Sequence, residues 1–274
     1  MRFVPVEDGV RLAVEDLGPG PDAAGDHDPV ILLAGLGLSH EVWDRQVRLL
    51  TRNRRVVCVD QRGHGRSDKP LKGYSLGRLA ADLVAVLNRL RITRCDIVGW
   101  SFGGQVAFCL AAKAPQRVGQ LVLVGSNGVR ASRSERFPFG TSPIRLERAL
   151  VEAEHADRVT ARRQAIASGF AGDPPLGVLD FLLELSLRMP LWTALECYHS
   201  MITTDMVDLL PNVTAPTLQV MGSADPVQSI EGAYWLQDRL AHPRLVQIPE
   251  CGHYPMFEAP DAFDEALLSF LGAP

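Results

Sequence analysis

A chain of 274 residues that is 46% hydrophobic can bury a full core as one large domain, or as one domain carrying an insertion, and its composition excludes general disorder. The formal net charge of −4, without a block of like charge, argues against a nucleic-acid partner and leaves small molecules as the expected ones. Five cysteines (Cys58, Cys95, Cys109, Cys197 and Cys251) are odd in number and mostly lie in apolar runs, which reads as reduced core thiols and not as bridges or ligands.

Residues Met1–Asp8 hold no apolar leader core, and the longest apolar run, around Val30–Leu38, is too short to span a bilayer. A soluble, cytoplasmic monomer or homodimer without membrane contact is therefore expected. Phe3–Val6 and Val10–Leu17 flank the turn signal Glu7-Asp8-Gly9 and predict a hairpin. A polar loop over residues 18–29 follows. Val30–Leu33 is wholly apolar, as a strand buried on both faces of a parallel sheet should be, and it opens into Ala34-Gly35-Leu36-Gly37-Leu38-Ser39. The glycines there let backbone N–H groups face a site.

Trp43–Leu50 reads as helix, Arg55–Val59 as strand, and residues 60–73 as a Gly-rich loop containing His64. Leu76, Leu79, Leu83, Val86, Leu87 and Leu90 share one helical face. Ile97–Trp100 is apolar and strand-like, and Gly99-Trp100-Ser101-Phe102-Gly103 then turns directly into the helical run Gln105–Ala112. Such a strand-turn-helix elbow lifts Ser101 Oγ clear of the sheet and sets it at a helix N-terminus, where free N–H groups favour developing negative charge. Val118–Val124 is a further strand.

From residue 127 to 211 the strand-helix alternation stops, and helical runs broken by Pro138, Pro143, Pro174, Pro175 and Pro190 take over. This predicts a helical cap inserted into a core formed by residues 1–126 and 212–274. Val178–Leu185 is apolar nearly all round, and a helix begun by Pro190 sets Trp192, Leu195, His199 and Ile202 on one face. That face either packs on the body or, with Phe181 and Met189 nearby, lines a pocket; Trp100, beside the serine, is a further candidate lining residue. The alternation then resumes with Thr217–Met221, Ile230–Leu240, Leu245–Ile248 and a last helix near Pro260–Leu271. The expected class is α/β, a mostly parallel central sheet flanked by helices.

A serine nucleophile needs a base to take its proton, and the base needs an acid to orient it. Asp225 and His253 each follow an expected strand, at the sheet end where ligands meet such folds. Asp205 and Asp208 are alternative acids. No His or Cys spacing suggests a metal and no dinucleotide fingerprint follows a strand, so no cofactor is expected.

Four stretches, Asp60-Gln61-Arg62-Gly63-His64-Gly65-Arg66-Ser67-Asp68, Gly99-Trp100-Ser101-Phe102-Gly103-Gly104, Gly222-Ser223-Ala224-Asp225-Pro226-Val227 and Gly252-His253-Tyr254-Pro255, resemble the α/β-hydrolases of the group that includes esterases, lactonases and cofactor-free haloperoxidases. The resemblance spans nearly the whole chain. It implies the catalytic order Ser101, Asp225, His253, an oxyanion hole from the N–H groups of Leu36 and Phe102, and a structural role for the His64 loop. Relatives commonly carry a histidine where Ala34 stands. The implied activity is hydrolysis of an ester or lactone through an acyl-enzyme, with a bulky, largely apolar substrate suggested by the cap. Alternatives are a 3-oxoadipate enol-lactonase, whose anionic lactone the arginines Arg130, Arg133, Arg136, Arg145 and Arg148 would suit, a cofactor-free haloperoxidase, and a non-catalytic binder.

Overall fold

The apolar runs become the inner strands of one sheet because helices cover both its faces. The computed structural model describes residues 1–18 and 27–272; positions 19–26 of the expected polar loop lie outside them. The order is β1 (Arg2–Glu7), β2 (Val10–Leu17), β3 (Val30–Leu33), α1 (Asp44–Leu50), β4 (Val56–Val59), α2 (Leu76–Arg89), β5 (Cys95–Trp100), α3 (Phe102–Lys113) and β6 (Val118–Val124). Next come α4 (Pro143–Ala167), α5 (Leu176–Leu187) and α6 (Leu191–Thr203), then β7 (Thr217–Gly222), α7 (Ile230–Gln237), β8 (Pro243–Ile248), α8 (Pro255–Glu258) and α9 (Pro260–Leu271).

The eight strands lie in the order β1-β2-β4-β3-β5-β6-β7-β8. The pairs β1–β2 and β2–β4 are antiparallel and all others parallel, so β3 to β8 send their carboxyl ends to one side of the sheet. Period-two alternation divides even the all-apolar strands. Ile31 and Leu33 join the core beneath α2 and α3, whereas Val30 and Leu32 join the opposite core with Trp43, Phe263 and Leu267. Burying each such side chain contributes about 1.5–3 kcal/mol.

Boundaries shift where chain ends of elements meet solvent. β8 starts at Pro243, two residues before the alternating pattern; it is an edge strand, where a proline removes no needed ladder bond. α7 stops at Gln237, short of the Leu240 expected, and the short α8 had no sequence signal of its own. α4 breaks its helical geometry at Asp157 (φ −158°, ψ 92°), whose carboxylate accepts the N–H groups of Val159 and Thr160, each at 3.1 Å, and so caps the restarted helix. Among the described residues no helix is long and apolar enough to cross a membrane.

α6 is rotated from the orientation that its bulkiest apolar residues suggest. Trp192 is 45% exposed and His199 is also at the surface, its Nδ1 2.8 Å from Glu147 Oε1. The buried residues of α6 are Thr193, Ala194, Cys197, Ser200 and Ile202, so of the expected face only Ile202 is fully buried. Small residues allow close approach: the hydroxyls of Thr193 and Tyr74 lie 3.0 Å apart, and Ser200 Oγ accepts the Leu76 N–H at 3.1 Å. The local polar bonds, added to tight packing, outweigh burial of one indole.

Candidate active site

Ser101 sits between β5 and α3 at φ 54°, ψ −116°. A non-glycine residue there is strained by about 1–3 kcal/mol, and its neighbours hold it in place. A side chain at Gly99 would overlap the Gly103 carbonyl, and one at Gly103 would come within 2.5 Å of the Ala34 carbonyl oxygen. Only glycine at both positions lets strand, helix and the β3 loop meet. The Ser101 N–H donates to the Val124 carbonyl at 2.9 Å, which ties the turn to β6.

The loops after β7 and β8 bring Asp225 and His253 to this serine. His253 Nε2 is 2.9 Å from Ser101 Oγ, and His253 Nδ1 is 2.9 Å from Asp225 Oδ2. An ionised carboxylate only accepts, so Nδ1 carries the proton and Nε2 is free to take the serine's. The other Asp225 oxygen, Oδ1, accepts the N–H groups of Val227 (2.8 Å) and Gln228 (2.9 Å), which fixes the carboxylate's rotation. The alternative acids are engaged elsewhere: Asp205 pairs with Arg130 and Arg136, and Asp208 with Arg136.

On the other side of Ser101, Gly35 packs so closely that a Cβ there would be 3.3 Å from Ser101 Cβ. The next residue is Leu36. Neither its N–H nor that of Phe102, the residue after Ser101, donates to a backbone carbonyl among the described residues. Two such donors suit an oxyanion. α5 covers this loop: a Cβ at Gly37 would lie 3.8 Å from Ser186 Cβ.

Of the expected lining residues, Phe181 meets the Phe257 ring edge-on at 6.5 Å, close behind the histidine loop, and Leu195 is half-buried. Met189 and Ile202 are buried. The Met189 carbonyl accepts from Arg162, and the Ile202 carbonyl from Ser132 Oγ. Trp100 is buried, its Nε1–H donates to the His253 carbonyl at 2.9 Å, and its ring is 5.8 Å from the imidazole. Its place next to the serine in sequence gave no hint of that bond, because the partner is 153 residues away.

Residues 30–266 match the model of the alpha/beta hydrolase family. The chain belongs to that family. It is 31% identical to a pimeloyl-[acyl-carrier protein] methyl ester esterase of Nitrosomonas europaea over 92% of this chain and 96% of the relative. It is 26% identical to 3-oxoadipate enol-lactonase 2 of Acinetobacter baylyi over 88% of each chain. An esterase structure from Exiguobacterium antarcticum superposes with a TM-score of 0.91, covering 99% of both chains at 27% identity.

In this alpha/beta hydrolase the Gly-rich loop after β4 is a scaffold. Asp60 accepts the N–H groups of His40 and Arg66, each at 2.8 Å, and the Ser67 hydroxyl accepts from Ala13 at 2.8 Å. His40, Glu41 and Asp60 bring possible ligand atoms within 4.8 Å of one another, but Asp60 is occupied by these bonds and Glu41 pairs with Arg188 at the end of α5. Cys251, in the histidine loop, is no rival nucleophile: burial pushes its thiol up to about 12.

His64 is wholly buried, its Nδ1 2.9 Å from the Arg62 carbonyl and its ring stacked 6.0 Å from Phe102. Burial lowers it to about 4, against an opposing pull from that carbonyl. The unfolded chain protonates this ring near 6.5. Between those values the unfolded state binds more protons, so the stability from a neutral His64 is full above pH 6.5 and lost as pH falls through 4, by roughly 3 kcal/mol. Urea melts from pH 7 to 4 should show this slope in the wild type and a shallower one in His64→Gln; equal slopes would refute it.

Sequence reasoning passed over Gly125 and Glu258. Gly125 (φ 49°) ends β6, and a Cβ there would be 3.1 Å from His253 Nδ1. A glycine directly after the apolar run Val118–Val124 was the available signal. Glu258 binds backbone N–H groups on both sides of His253, a contact set by the turn of α8 that no spacing announces.

Proposed function

We propose that the protein is a serine hydrolase of a neutral, bulky, largely apolar carboxylic ester or lactone, working without a cofactor on a small molecule. Ser101 Oγ attacks the carbonyl carbon as its proton passes to His253 Nε2, and the Leu36 and Phe102 N–H groups stabilise the oxyanion. The proton then goes to the leaving alkoxide, giving the alcohol and an acyl-Ser101 ester. His253 next takes a proton from water, whose oxygen attacks the acyl carbon, and returns it to Ser101 as the acid leaves. Asp225 stabilises the imidazolium formed in each half. The observation that carries this reading is the unbroken Ser101–His253–Asp225 relay with both links at 2.9 Å.

The apolar preference is supported by the surroundings. α5 buries Leu179, Leu182, Leu183 and Leu185 beside the oxyanion loop, while Arg130 and Arg136 spend their charge on Asp205 and Asp208, and Arg148 on Glu152. Arg133 and Arg145 are at the surface. Arginines already paired or solvated add little to recognition of an anionic substrate.

The test compares kcat/KM for a neutral aromatic or macrocyclic lactone with that for a carboxylated lactone of similar size. A preference of about tenfold or more for the neutral substrate, unchanged by salt, is expected. A preference for the anion that disappears in high salt or in Arg145→Ala would instead establish the enol-lactonase reading.

A further inference from the structure

The base of the relay stands on a loop, and a loop needs anchors if its side chain is to hold a reacting geometry. Those anchors converge on one carboxylate. Glu258 Oε2 accepts the N–H of Gly252 at 2.9 Å and Oε1 that of Tyr254 at 2.9 Å, so the residues on both sides of His253 hang from the same side chain. Oε2 also accepts the N–H of Ala171 at 2.8 Å, just beyond the end of α4. Bonds from N–H groups to an ionised acceptor are the stronger kind.

Gly169, Phe170 and Ala171, beyond the end of α4, all meet the histidine loop. The Gly169 carbonyl accepts the His253 N–H at 2.7 Å. Phe170 stacks on Tyr254 with ring centroids 4.4 Å apart and planes 13° from parallel. The backbones are so close that a Cβ at Gly252 would lie 2.5 Å from both Ala171 N and the Gly169 carbonyl oxygen.

From this juxtaposition we infer that Glu258 is a positioning residue for His253 and that it fastens the base to the end of α4, so that the helical excursion covering the oxyanion loop also sets the aim of the imidazole. The inference rests on the serine-hydrolase reading above. Asp225 fixes the tilt of the ring, and Glu258 fixes where the ring's backbone stands. Without the carboxylate, residues 252–254 lose two of the bonds that hold them, and Nε2 drifts from Ser101 Oγ.

The experiment separates a slower site from a scarcer one. Wild type, Glu258→Gln and Phe170→Leu are titrated with an active-site phosphonate, the modified residue is identified by mass, and kcat per titrated site is measured on a p-nitrophenyl ester. Glu258→Gln is expected to titrate fully but turn over about 10- to 100-fold more slowly per site, with KM within about twofold, and to be phosphonylated more slowly by a similar factor. Phe170→Leu should show the same pattern at about three- to tenfold, and it decides the matter alone if Glu258→Gln does not fold. A merely structural role would give fewer titratable sites, each with wild-type kcat, and would overturn the inference. Absence of any label on Ser101 in the wild type would instead remove the serine mechanism, and this inference with it.

Discussion

Ser101→Ala is expected to lower kcat/KM for a small activated ester by roughly four powers of ten or more while leaving the protein folded. The hydroxyl's hydrogen bond in the structure runs to His253 Nε2, whereas the backbone of residue 101 is held separately, its N–H by Val124 and its carbonyl by Gly104. Alanine keeps the Cβ and accepts the same φ of 54° at similar strain. On the proposed mechanism, what remains is the pair of Leu36 and Phe102 N–H groups with no hydroxyl to attack the carbonyl. Circular dichroism and a thermal melt check folding, and steady-state kinetics check the loss; a folded variant with more than about a hundredth of wild-type activity would contradict nucleophilic catalysis by Ser101.

Asp225→Asn should cost about 10³- to 10⁴-fold in kcat with little change in stability, and the reason lies in the second oxygen. Oδ1 accepts from Val227 and Gln228, so an asparagine must leave its carbonyl oxygen there and turn its NH₂ toward His253. An NH₂ donor facing Nδ1 makes that nitrogen the acceptor and moves the ring proton to Nε2. The base then points a donor at the serine it should deprotonate. Asp205 and Asp208 offer no replacement, being held by Arg130 and Arg136. Activity within about tenfold of wild type would mean that Asp225 does not set the tautomer.

The inner strands were legible because they are mostly apolar runs of four to seven residues, as at Val30–Leu33 and Val118–Val124. The elbow and its loop partners were legible because strained turns demand glycine, and Gly99 and Gly103 stand where backbones touch. What stayed hidden depends on long-range contact. The bond from Trp100 to the His253 carbonyl and the grip of Glu258 on the histidine loop leave no periodic trace in sequence. The rotation of α6 was misjudged for a related reason: hydrophobicity ranks Trp192 above Thr193, but close packing against Gly63 and Tyr74 selects the smaller residue.

The strand order also has a consequence for how the chain is made. β6 must wait for β7 to cover its outer edge, and residues 125–216 are synthesised between them. At about 5–20 residues per second, a ribosome leaves that edge bare for on the order of 10 s, with Ser101 already in place and neither Asp225 nor His253 yet translated. Until β7 has emerged, the outer edge of β6 has no strand to pair with, and Ser101 has neither Asp225 nor His253 beside it.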